Sequence, residues 1–161
     1  MKLSTYQANG FYLLSPIDSV SGLREYPVAA GVTIVKGDYC IFASGYVTNT
    51  ATAVQLLLVA GIAAEDADNS AGAAGAINVK IIPLLPQYQF SVPVSTNAVI
   101  GRANVGVACD LEANDDIDVS DTTITAGSKA FWVDDYDASA AAVAANTYGY
   151  AIGHFDITNI S

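Results

Sequence analysis

Positive charge is scarce in this sequence. Six Lys and Arg stand against 16 Asp and Glu, and the formal net charge of −10 leaves little with which to neutralise phosphates. Nucleic acid and anionic membrane surfaces would both be repelled, so neither is expected as a partner. The chain has only two cysteines and one histidine. Cys40 and Cys109 lie far apart, away from His154 and without a second Cys cluster, so no zinc site is expected. Both read as core thiols, with a disulfide the open alternative. The longest apolar run, 56–64, is far shorter than the ~20 residues a membrane-spanning helix needs. The first sixteen residues lack the continuous apolar stretch of a secretory leader.

What is present is apolar. Hydrophobic residues make up 52% of the 161 and charged ones only 14%, the reverse of a disordered composition. The length fits one domain, or one domain carrying an arm. Much of the apolar content is Ala, so the core must rest on Val, Ile, Leu, Phe and Tyr. These occur in short segments, many alternating or β-branched, broken by Gly and polar turn clusters. The fold class expected is all-β: a small β-barrel or sandwich over 26–161, an extended N-terminal arm over 1–25, and at most one or two short helices.

Within that frame, Val32-Thr33-Ile34-Val35 and Tyr39-Cys40-Ile41-Phe42 read as two strands joined by a tight turn at Lys36-Gly37-Asp38, with Gly37 taking a positive φ. Ser44-Gly45 marks another turn. Residues 69–75 read as a small-residue surface loop, and strands follow over 77–81 and 89–94, bounded by Pro83, Pro86 and Pro93. Further strands are expected within 98–107, 117–119, 130–133 and 148–157. A helix stays open for part of 52–58, and the Ala-rich 138–145 has the composition of a short one.

Candidates for chemistry are few. His154 is the only imidazole available as a base, and by alternation it shares a strand face with Ile152 and Asp156. No Gly-x-Ser-x-Gly elbow or reactive-cysteine setting accompanies it, so it reads as an ordinary strand histidine. The Gly-containing turns lack the spacing and the following helix of a phosphate loop. The acidic stretch 110–121 places oxygen ligands at alternate positions, but in an EF-hand register begun at Asp110 the sixth residue is Asp115 rather than Gly and the twelfth is Asp121 rather than Glu. It reads as a solvated acidic rim. Paired carboxylates for glycoside hydrolysis lack any sign of a sugar-sized cleft. No catalytic residue, cofactor or metal ligand is therefore assigned, and no enzymatic activity is expected. Aromatic and apolar residues at the arm and near turns, Phe11, Tyr12, Leu13, Leu14, Tyr88, Tyr148 and Tyr150, are the expected contact residues for other proteins.

Several strings taken together resemble the capsid decoration, or cement, proteins of tailed bacteriophages. They are Pro27 to Gly31, Val35-Lys36-Gly37-Asp38, Gly45-Tyr46-Val47, Ala60-Gly61-Ile62-Ala63-Ala64-Glu65-Asp66-Ala67, Asn97-Ala98-Val99-Ile100-Gly101 and Phe131-Trp132-Val133-Asp134. The likeness covers roughly 27–137 and leaves the arm out. It implies a β-rich protomer, commonly a homotrimer, on the outer capsid surface of the virion. There it would bind the major capsid protein and stabilise contacts between shell subunits, with the arm over 1–25 as a clamp. The alternative from another class is a calcium-dependent carbohydrate-binding β-domain on a virion or cell surface, and a small hydrolase is the third reading.

Overall fold

Turn chemistry decides where the strands begin. Ser44 and Gly45, at φ 52° and 86°, form a two-residue turn of the kind that matches strand twist, and Ala43 pairs with Tyr46 across it. The Val35–Asp38 turn works differently. The Asp38 N–H donates to the Val35 carbonyl, and Gly37 takes φ 95°. The turn does not close a hairpin, which corrects the sequence expectation. The strand before it pairs with Ala67–Asn69 and the strand after it with two others, because the Gly37 N–H is spent on the Ala63 carbonyl and carries the chain from one sheet to the next.

The computed structural model describes residues 2–7, 9–15, 22–49, 59–85, 87–95, 99–111, 113, 115–120 and 129–155. Among them the strands are β1 (Tyr12–Ser15), β2 (Arg24–Pro27), β3 (Val32–Ile34), β4 (Tyr39–Ala43), β5 (Tyr46–Thr48), β6 (Val59–Ala63), β7 (Ala67–Asn69), β8 (Asn78–Ile82), β9 (Gln89–Pro93), β10 (Ala108–Leu111), β11 (Ile117–Asp118), β12 (Lys129–Asp137) and β13 (Tyr150–Phe155). One helix, α1 (Ala140–Ala145), is capped by Ser139, whose hydroxyl accepts from the Ala142 N–H. The strand expected within 98–107 is instead a 3-10 turn at Arg102–Asn104, and pairing starts only at Ala108. The region 52–58 lies outside the described residues.

Antiparallel pairing gives a six-stranded sheet, β1-β9-β13-β12-β10-β11, a five-stranded sheet, β2-β8-β6-β4-β5, and the pair β3-β7. Among the described residues the architecture is an all-β sandwich with no closed barrel. Each large sheet curls until distant strands touch at one parallel bridge, Val28–Val47 in one and Val94–Ile117 in the other.

The two curled sheets repeat one design. Leaving out β1, both run first, fifth, fourth, second, third in chain order. After the first strand Val28 bridges Val47 and the Ala29 N–H donates to the Val47 carbonyl; in the second sheet Val94 bridges Ile117 and the Ser95 N–H donates to the Ile117 carbonyl. A bulge falls at one place in both: Cys40 opposes Gly61 and Ile41 opposes Val59, while Cys109 opposes Phe131 and Asp110 opposes Lys129. The Gly37 N–H donates to the Ala63 carbonyl and the Ala63 N–H to the Asp38 carbonyl; Gly106, Val133 and Val107 repeat those two bonds. Asn69 Nδ2 donates to the Val28 carbonyl, as Asn146 Nδ2 does to that of Val94. Buried residues match as well: Val28, Ile34, Cys40, Val47, Ala63 and Val79 in the first unit occupy the places of Val94, Ile100, Cys109, Ile117, Val133 and Ala151 in the second.

The main core joins the units. Tyr39, Ile41, Ile62 and Ile82 of the first pack with Phe90, Phe131 and Phe155 of the second. The expected boundary at residue 25 is not seen, since β2 runs across it, β1 joins the six-stranded sheet and Phe11 is inserted among Phe90, Phe131 and Phe155. The described residues of 1–25 are thus part of the folded body rather than an extended arm. An apolar side chain as large as Phe11 is more stable inside that core than held out in water.

Candidate functional site

Three places gather polar side chains. At the first, the backbone near the chain start is held by Asp137, which is 3% exposed. Its carboxylate accepts from the Leu3 N–H at 2.7 Å, the Tyr6 hydroxyl at 2.7 Å and the Ser139 N–H at 2.9 Å. Burial alone would raise its pKa, but these donors outweigh burial and bring it down to about 2. Beside it Lys2, Ile100, Arg102, Asp135 and Ser139 line an open groove of about 680 Å³. The Tyr136 N–H and the nearby Arg102 charge hold Asp135 below the usual carboxylate range. Leu3 and Tyr6 pack with Ala142, Tyr150 and Ile152, and the Tyr150 hydroxyl donates to the Gln7 carbonyl.

The second place is the acidic stretch. Asp110 and Asp118 oppose each other across β10 and β11. Asp116 accepts from the Ala113 N–H, and Asp118 accepts from both the N–H and the hydroxyl of Ser120. These carboxylates act on local backbone as turn formers do. Among the described residues no group of three or more His, Cys, Asp and Glu is placed to hold a metal ion.

The third lies on the outer face of the six-stranded sheet. Ala108, Trp132 and His154 form one row across β10, β12 and β13. His154 Nδ1 lies 2.9 Å from Asp134 Oδ2, with both side chains about one-third exposed. Ile152 is on the same strand face as His154, as alternation implies, but is buried under the residues near the chain start.

Comparison with known proteins gave nothing to place beside this geometry. No protein-family model, curated protein or solved structure matches the chain significantly.

The contact residues expected from sequence are not brought together on a surface. Phe11, Tyr88 and Tyr150 are 3%, 4% and 1% exposed within this chain. That corrects their expected role: the aromatic bodies fill the core, and Tyr150 places its hydroxyl on a carbonyl. Leu13 and Tyr148 are partly buried against the main core, Leu14 against the Leu3 cluster, and Tyr12 is half-buried at the β1 edge. Cys40 and Cys109 are buried in separate clusters and are not joined in a disulfide. Asp38 of the Lys-Gly-Asp turn is 5% exposed and accepts from the Val35 N–H and from Asn49 Nδ2, a structural role.

Sequence reasoning missed Trp132, His154–Asp134 and Asp137. Trp132 carried a signal, as the only Trp in an alternating strand. Asp137 carried none, because its partners Leu3 and Tyr6 lie at the far end of the chain.

Proposed function

We propose that the chain is a structural virion protein, a decoration or cement protein that binds the outer surface of a tailed-phage head and stabilises contacts between major capsid subunits, without catalysis. One observation carries the reading furthest. Two of the six strings on which the resemblance rests, 35–38 and 60–67, are separate in sequence but meet in one joint: the Gly37 N–H donates to the Ala63 carbonyl, the Ala63 N–H donates to the Asp38 carbonyl, and the Lys36 N–H donates to the Asp66 carboxylate. Strings that form one joint mark an architecture rather than a chance composition. The rigidly cross-connected β body and the net charge of −10 fit a protein that resists force and stays soluble until it meets its partner.

Co-sedimentation of the purified chain with expanded heads is the direct test. The reading expects binding, and it expects heads lacking the protein to open at lower temperature and to be weaker to chelators. Light scattering on the isolated protein should give a trimer. Failure to bind heads, together with a melting midpoint that falls on adding EDTA, would replace the reading with the calcium-dependent carbohydrate-binding one.

A further inference from the structure

The internal repeat supplies a comparison within the molecule. In the first unit Tyr39, Ile62 and Ile82 form one row across β4, β6 and β8. They are 0%, 0% and 8% exposed, because this outer face docks on the aromatic core of the second unit, with the Tyr39 and Phe155 rings 5.7 Å apart. The same row in the second unit is Ala108, Trp132 and His154.

Had this second face simply been left to water, its apolar residues should have become small or polar. Two positions follow that rule: Ala108 stands where the first unit has Tyr39, and His154 stands where it has Ile82. The third does the opposite. Where the first unit has Ile62, the second has Trp132, the bulkiest side chain available and the only Trp in the chain, half-buried and paired across the strands with His154, which holds the Asp134 carboxylate. A Trp on a sheet face whose neighbours have become small or polar is characteristic of a binding hot spot.

We propose that the row Ala108–Trp132–His154, rimmed by Asp134, is the surface by which the protein docks on a partner protein, and that the partner presents a basic side chain to it. The indole face attracts a cation, Asp134 supplies an opposite charge at the rim, and the chain's excess of negative charge steers such a partner inward. The inference rests on the function proposed above, in which the partner is the capsid subunit.

Trp132 also reports on its own environment, since it is the only Trp in the chain and can be excited at the red edge of its absorption, where Tyr does not absorb. The full chain is titrated with expanded heads of the phage that encodes it, binding is read by co-sedimentation, and acrylamide quenching of Trp132 is measured free and bound. Quenching should fall on binding, and Trp132→Ala should weaken binding at least about tenfold with little change in melting midpoint. Asp134→Asn should weaken it less. The assignment is overturned if the wild type binds while Trp132 stays equally quenchable, an outcome that needs no variant to fold. Equal binding by a folded Trp132→Ala variant overturns it too, as does protection of Trp132 by a free oligosaccharide or by self-association without heads. No binding by the wild type removes the functional reading itself, and this assignment with it.

Discussion

Two side chains set opposite signs of stability. The Tyr39 hydroxyl is buried without a hydrogen-bond partner among the described residues, at a residue 0% exposed, and burial pushes its pKa up. Desolvating a hydroxyl without a partner is costly, so Tyr39→Phe should raise stability by about 1 kcal/mol in denaturant titration. Asp137 is the reverse, since its carboxylate satisfies donors from Leu3, Tyr6 and Ser139. Asp137→Ala would leave them without it and should cost about 2–3 kcal/mol. Its folded pKa, about 2, lies below the ordinary 3.8. A depressed carboxylate pKa contributes stability that is fully present above the unfolded value and is lost as pH falls through the folded one. Melting midpoints should therefore fall between pH 4 and pH 2, and Asp137→Asn should flatten that part of the curve.

Among the elements, the repeated joints are the parts that hold strand order. Asn69, at the end of β7, donates to the carbonyls of Val28, Ala29 and Ala73; Asn146, after α1, donates to those of Val94 and Gly149. A strand end in one unit and a helix end in the other thus bring the same amide to the same place. Asn69→Ala and Asn146→Ala should each cost about 1–3 kcal/mol, the range for buried acceptors left unpaired. Chemical unfolding of the two variants checks this: a loss at only one site would mean that the joints are alike in geometry but not in energy. Strand periodicity and turn residues were legible at this scale. The 77–81 and 89–94 segments, the Ser44-Gly45 turn and the Ala-rich helix all appear near their expected places. The hairpin across Lys36-Gly37-Asp38 was misread because a turn is local whereas the choice of strand partner is not.

For the molecule as a whole, the repeat and the shared core pull in different directions. Each unit has its own interior, yet the largest cluster takes Tyr39, Ile41, Ile62 and Ile82 from one unit and Phe90, Phe131 and Phe155 from the other, with Phe11 between them. Neither unit can open without exposing that cluster, so scanning calorimetry should show a single transition. Two resolved transitions would mean that the units fold independently.

The sequence by itself determined the fold class, the strand-forming segments and the acidic surface, because alternation, turn residues and charge are local or additive properties. It carried only traces of the repeat: Pro27-Val28 against Pro93-Val94, Gly37 against Gly106, and Cys40 against Cys109. Spacing between counterparts drifts as loop lengths differ, and most matching core positions need only be apolar, so little identity is left to detect. Tertiary structure alone decided that the residues near the chain start belong to the core, that Phe11 and Tyr150 face inward, and that Trp132 stays at the surface. Those outcomes depend on which strands meet across long stretches of chain, and alternation within a strand says which residues share a face but not which face will be covered.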